Sequence, residues 1–337
     1  MLKANGKTWN DLPGLLHGDG KTAKDHSADD TRAGNAPPEK DFNALELVHY
    51  LIESYCDMKE HEAVAVALWI LHTHVYSQFG VTPRLALTSP VRGCGKATLL
   101  RLIELLAAKP ERMVAVTAAV IYRLIDRDHP TLLVDEADNA GLNTDGWLRS
   151  VMNYGHLKGG WVPRVVNGEP KKFDTFAPMA IEAIGTLPLP LMQRSIVIHL
   201  ERTNKQLKRL PEAGTQSDFD VIYPYVWHWA KDAKLNAGPD MPTQLKNRAA
   251  DNWRPLLAIA DALGWSERAR DAARTFARTY HDEDAGVVLL EDLRAIFDRT
   301  GADRDTSEAL IAALVGNGTK HDRLVGVARC ARRSATA

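Results

Sequence analysis

At 337 residues and 37.2 kDa the chain can hold two or three compact units, each with its own buried core. Hydrophobic residues make up 45% and charged residues 25%, an ordinary cytosolic balance, and the formal net charge of -1 excludes a global electrostatic pull toward nucleic acid or membrane. Any DNA contact must therefore come from a local basic feature. The three cysteines, Cys56, Cys94 and Cys330, sit far apart and form no CxxC pair that would suggest zinc or a disulfide framework. The N-terminal stretch has no apolar signal core, and no run of about 18 apolar residues could span a bilayer. A soluble, cytoplasmic protein with no membrane partner is expected.

Residues 1–40 are rich in Gly, Asp, Lys, Asn and Pro and carry no sustained period, which predicts a disordered tail. The Gly-Asp-Gly-Lys run at 18–21 has no apolar strand before it and is set aside. Residues 41–80 are predicted to be helical. Leu45, Val48, Leu51, Ile52 and Tyr55 share one face, and Val64 to Val75 reads as a more buried helix. A short apolar strand, Arg84 to Thr88, then runs into Ser-Pro-Val-Arg-Gly-Cys-Gly-Lys (89–96). A helix follows, with Leu99, Leu102, Ile103 and Leu106 on one face, and ends before Pro110.

Thr131 to Val134 is a second buried strand and ends in Asp135-Glu136. Trp161–Val166 and Lys171–Phe176 form a predicted hairpin that turns at Asn167-Gly168. Pro178–Ile184 and Ile196–Leu200 are further strands, and beyond residue 203 only helices are expected. Residues 290–315 read as two short helices about a turn at Gly301, either half of a winged-helix DNA reader or a plain helical lid. Strands alternating with helices predict an α/β fold: a mainly parallel sheet covered on both faces. The expected division is 1–40 tail, 41–80 helical segment, 81–203 α/β core and 204–337 helical lid.

Strand, Gly-rich turn, Gly-Lys and helix is the context in which backbone N–H groups and a helix N-terminus cradle phosphates. The nucleotide-binding candidates are thus Pro90, Val91, Arg92, Gly93, Cys94, Gly95, Lys96, Ala97 and Thr98. Gly93 and Gly95 supply conformational freedom and Lys96 the charge. The first glycine of the usual pattern falls on Pro90, and the hydroxyl residue that normally binds magnesium is Ala97. Thr98 points elsewhere on the helix. Asp135, at the end of a buried strand, is the candidate Mg2+ ligand, and Glu136 the candidate general base. Thr186, in the turn after the next strand, is a candidate for contact with the attacking water or γ-phosphate. A plain turn residue is the alternative. Arg194 is either an arginine finger acting on a neighbouring subunit's nucleotide or a surface arginine. Arg248 and Arg254 flank Trp253; one of them folds over the γ-phosphate, or both are solvated. ATP with Mg2+ is the expected ligand, although no base-reading motif separates ATP from GTP.

Six stretches together resemble a known group: Ala67–Tyr76, Val81–Pro90, Leu132–Asp138, Phe176-Ala-Pro178, Arg194–Ile198 and Arg248–Ala260. The resemblance is to a bacterial and phage P-loop ATPase family catalogued only as a domain of unknown function. That family is often fused to primase-polymerase modules on mobile elements. It is in turn similar to superfamily 3 and poxvirus-type primase-helicases of the AAA+ class, and the likeness covers about residues 45–315. It implies a P-loop, AAA+-like fold, a homo-oligomeric ring of six subunits, and a hairpin facing a central channel. On that basis Lys158, Arg164, Lys171 and Lys172 would touch a DNA backbone. A solvated hairpin face is the alternative. Three functions remain open at this point: a DNA motor of helicase or translocase type in phage or mobile-element replication, an ATP-dependent switch or scaffold acting on a protein partner, for example in phage defence, or a module that holds ATP without hydrolysing it because Ala97 impairs the site.

Overall fold

The computed structural model describes residues 42–114, 116–137, 145–211 and 217–316. The predicted tail over 1–40, the run at 18–21, Asp138 and Cys330 lie outside them. The chain divides into two compact units, one up to Thr275 and one from Phe276. This boundary falls inside the stretch that the sequence suggests as a single helical lid.

In the first unit, helix α1 (Ala44–Tyr55) begins at Asn43, whose Oδ1 accepts from Leu45 N at 2.9 Å. This side-chain cap satisfies one of the otherwise orphaned amides of the first turn. Helix α2 (Glu60–Val75) is buried around most of its circumference, as its unbroken apolar run requires. The Nε1 of its fully buried Trp69 donates to Pro83 O at 2.8 Å, which ties the helix to the entry of the first strand.

Five strands form one parallel sheet: β1 (Arg84–Ser89), β2 (Pro110–Val114), β3 (Thr131–Asp135), β6 (Met179–Ile184) and β7 (Ser195–His199), in the order β2-β3-β6-β1-β7. β1 is buried at every position and β3 at four of its five, as expected for strands covered on both faces. β2 is absent from the sequence reading because Pro-Glu-Arg-Met-Val carries neither an apolar run nor alternation. It forms an edge, where a proline and charges are tolerated, and most of it is accessible.

Helices α3 (Lys96–Leu106) and α4 (Ala118–Asp128) link β1 to β2 and β2 to β3. α5 (Gly146–Tyr154) and the hairpin precede β6, and the short α6 (Leu189–Met192) leads into β7. α7 (Asp218–Asp232) packs on α1, α2 and α3, and α8 (Asn247–Ala262) packs on α2. Both helices belong to the first compact unit. The predicted absence of strands after residue 203 holds among the described residues.

The hairpin pairs β4 (Trp161–Val166) with β5 (Glu169–Asp174), so β5 begins two residues earlier than predicted. Asn167 (φ 53°) and Gly168 (φ 86°) both take positive φ, the two-residue turn that matches strand twist. This tight turn sets the register, with Val162 opposite Phe173 and Arg164 opposite Lys171. Helix α9 (Ser266–Thr300) carries the chain into the second unit, where α10 (Ser307–Gly316) follows the turn at Gly301 (φ 65°). The predicted turn is present, but the helix before it is the end of a 35-residue element.

Candidate functional site

Because the five sheet strands are parallel, their C-terminal ends share one edge: Ser89, Asp135, Ile184 and His199 with the turns that follow them. The Gly-rich turn follows β1. It is folded by its own side chains, with Ser89 Oγ donating to Val91 O at 2.7 Å and Cys94 Sγ to Val91 O at 3.3 Å. Gly93 and Gly95 have φ of 79° and 85°, a left-handed conformation that costs any other residue steric energy. Gly95 is the N-cap of α3 and provides no side-chain cap, so the first amides of α3 open onto the turn.

A cavity of about 580 Å³ lies at this edge, within the usual size of ligand pockets. It is lined by Arg92 to Thr98, by Glu136 and Glu182, and on its far wall by Tyr55, Asp57 and Thr203. Asp57 ties that wall together, accepting from Thr203 Oγ1 at 2.5 Å and from Lys205 Nζ at 2.6 Å. The Lys96 ammonium is 5% exposed, donates to Ser89 Oγ at 2.6 Å, and stands 3.9 Å from Glu182 Oε1. Asp135 pairs with Arg112 at 2.6 Å, and Arg112 also faces Glu104 at 3.5 Å. Glu136 is exposed, with φ of 49°, and its carboxylate edge joins the cavity.

Glu182 is the participant that the sequence reading missed. It sits on the central strand, opposite Leu87 of β1, inside Met-Ala-Ile-Glu-Ala-Ile. A carboxylate within such a buried apolar run is the signal that could have revealed it. Burial and the neighbouring Asp135 carboxylate push its carboxyl up to about 7, against the pull of Lys96 and Arg112.

The structure brings Arg92, Gly93, Cys94, Gly95, Lys96, Ala97, Thr98 and Glu136 around one cavity, with Asp135 behind them. Pro90 and Val91 are exposed at the start of the turn and do not line it. Thr186 is exposed in the turn after β6 and is not among the described residues that line the cavity. Arg194 precedes β7 and therefore stands at the opposite end of the sheet, roughly one strand length, about 16 Å, from the loop edge. It donates through Nη1 to Pro190 O at 2.6 Å. Arg248 donates to Gln193 Oε1 at 2.6 Å at that same far end, and its charge helps to hold the Arg194 guanidinium below its ordinary value, after burial. Arg254 is exposed on α8, on the side away from buried Trp253. Neither arginine folds over the loop within this chain, because α8 packs on α2 and reaches the other edge of the sheet.

The four hairpin cations divide between two faces. Alternation puts Val162 and Phe173 inward against α4, together with Arg164 and Lys171. Arg164 lies over the rings of Trp147 (4.3 Å) and Tyr122 (5.1 Å), and Lys171 pairs with Asp126 at 3.6 Å. Lys158 donates to Ser77 O at 2.8 Å. Lys172 stays on the outer face, over the half-exposed Trp161 at 4.3 Å, beside Val165, which is 73% exposed. Lys158, Lys171 and Lys172 are exposed and Arg164 is half-buried, so the four cations do not share one face of the hairpin.

Among the described residues one other group has clustered ligand-type atoms, His49, Glu53 and Glu60, within 4.8 Å of one another. Arg268 donates to Glu60 there at 2.7 Å and lies over the Trp265 ring at 4.0 Å. This cluster is balanced by its own arginine. No helix of the described residues is long and apolar enough to cross a membrane.

A family described as "Protein of unknown function (DUF3631)" matches residues 202–321, a little over a third of the chain. A curated relative from Saccharopolyspora erythraea, an uncharacterized 28.9 kDa protein in a xis 5' region, is 46% identical over 66 residues. That match takes in 18% of this chain and 24% of the relative, so the chain spans about a quarter of the relative's length.

Proposed function

We propose that this chain binds a nucleoside triphosphate with Mg2+ in the cavity after β1 and hydrolyses it, as the ATPase of an oligomeric DNA motor. The observation that carries the nucleotide reading is the uncapped N-terminus of α3, with buried Lys96, opening on the same cavity as Glu136. Amides at a helix start and an ammonium are matched to phosphate oxygens. The oxygens of Asp135 and the acidic cavity wall fit a hard divalent cation, which prefers carboxylates and water. Mg2+ would supply charge neutralisation at the transferring phosphoryl group. Lys96 and the loop amides would hold the β- and γ-phosphates. Asp135 would have to share or release Arg112 to reach the metal. Glu136 would orient the attacking water and accept its proton as the oxygen–phosphorus bond forms and the diphosphate leaves.

The far-end position of Arg194 supports the ring reading. Its Nε is buried without a hydrogen-bond partner among the described residues, and it lies too far from its own chain's loop to act there. On the ring reading, a neighbouring copy's nucleotide would use it.

A second reading, an ATP-dependent switch acting on a protein, is favoured by one observation. All four hairpin cations are engaged within the chain, Lys172 over Trp161 itself, while Trp161, Val165 and Leu157 are exposed beside them. One experiment separates the readings: ATPase rate with and without single-stranded DNA, on the parent chain, Ala97→Thr and Lys172→Ala. The motor reading expects DNA to raise turnover and Lys172→Ala to abolish most of that rise. Turnover indifferent to DNA in all three removes the motor and leaves the switch. No turnover and no nucleotide binding removes both.

A further inference from the structure

The parallel register that sets Val134 beside Ile181 places Asp135 and Glu182 side by side at the head of β3 and β6, and both carboxylates are acceptors when ionised. Glu182 is 9% exposed, and its Oε2 is buried without a hydrogen-bond partner among the described residues. The cations nearby do not fill that gap. Lys96 is committed to Ser89 and remains 3.9 Å from the other Glu182 oxygen, while Arg112 takes Asp135 from its outer side. A buried acceptor facing another acceptor is unfavourable unless a proton or a metal ion sits with them.

On the same cavity wall stands Ala97, where a phosphate loop ordinarily offers a hydroxyl to the metal. A methyl group offers no lone pair. The site thus lacks one oxygen ligand at the helix start and holds one surplus oxygen ligand on the central strand.

We propose that Glu182 replaces the missing hydroxyl as a protein ligand of the nucleotide-bound divalent cation, so that Asp135 and Glu182 hold the metal as a carboxylate pair. The inference rests on the nucleotide reading above and deepens it. A carboxylate in place of a hydroxyl adds negative charge, which strengthens the grip on a hard cation and lowers the net positive charge that Lys96 presents to the phosphates. Position 97 is then free of its usual chemical duty, and Ala97 is compatible with a working site.

The probe is Mn2+, titrated by electron paramagnetic resonance into the full chain saturated with a non-hydrolysable ATP analogue. Analogue binding is measured separately in EDTA. In the metal-free arm Glu182→Gln should bind the analogue as tightly as the parent or tighter, because a negative charge beside Lys96 has gone. With Mn2+, Glu182→Gln should lose at least ~10-fold in metal affinity, a loss of the size seen when groups supporting a metal ligand are removed. Glu182→Asp, which keeps the charge but is one methylene shorter, should also weaken Mn2+. Ala97→Thr should change the parent's Mn2+ affinity by less than about threefold and restore most of the loss in the Glu182→Gln background. Mn2+ affinity unaltered in Glu182→Gln overturns the assignment. So does a tenfold gain from Ala97→Thr alone, since the hydroxyl would then be the only missing ligand. Failure of Ala97→Thr to rescue Glu182→Gln also overturns it. If the parent binds no analogue in either arm, the nucleotide reading fails first and takes the assignment with it.

Discussion

Acidification should unfold this protein through a histidine far from the candidate site. His72 is fully buried on α2, its Nε2 is 3.0 Å from Thr82 Oγ1, and burial pushes its pKa from 6.5 down to about 3. Its Nδ1 is also buried with no partner among the described residues, so nothing there rewards a second proton. The folded value lies below the unfolded one, so the unfolded chain binds more protons and stability rises with pH across the interval between them. The contribution is complete above pH 6.5, is lost as pH falls toward 3, and is flat below that. At pH 5 the unfolded histidine is almost fully protonated and the folded one is not. This costs about 1.9 kcal/mol relative to pH 7, or about 25-fold in the unfolding constant. The assay is urea unfolding at pH 7, 6 and 5, followed by tryptophan fluorescence, on the parent and on His72→Gln. Both proteins should destabilise, since His49 and His156 are also held neutral by burial, each near 4. The parent, however, should lose about 1.9 kcal/mol more than the variant between pH 7 and 5. Parallel pH profiles would refute the reasoning, because His72 would then titrate alike in both states.

Three further outcomes are expected. Gly155→Ala should cost ~3 kcal/mol or more and lower Tm by roughly 6–12 °C in a thermal melt, because its Cβ would lie 2.0 Å from Thr175 O and 2.7 Å from Arg84 Nη2. Gly168→Ala has open space around it but a φ of 86°, so it should cost only about 1 kcal/mol by urea titration and leave nucleotide affinity intact. Lys96→Ala should abolish the nucleotide-induced stabilisation, which in the parent is about 2.7 kcal/mol at a hundredfold excess of ligand over Kd. Without nucleotide the variant should melt near the parent, since the lost ammonium is replaced by protonation of Glu182, whose carboxyl already stands near 7.

The sequence by itself determined the local pieces. Short, mostly apolar runs made β1, β3 and β6 legible, and the left-handed demands at Gly93, Gly95 and Asn167-Gly168 marked the two turns that matter most. Those signals are short-range, arising from side-chain period and backbone sterics, and they survive without knowledge of the rest of the chain. The edge strand β2 was not legible, because an edge needs neither apolar run nor alternation and is recruited by pairing with Val134 and its neighbours. The tertiary structure alone decided which charges meet. Strand order set β6 between β1 and β3, and this brings Glu182 to Lys96 and Asp135 across 86 and 47 positions of sequence. Parallel register sent Arg194 and Arg248 to the end of the sheet away from the loop, and strand alternation turned Arg164 and Lys171 inward while leaving Lys172 outside. Pairings of that kind depend on loop closure and packing between distant segments, for which a single sequence carries no local signature.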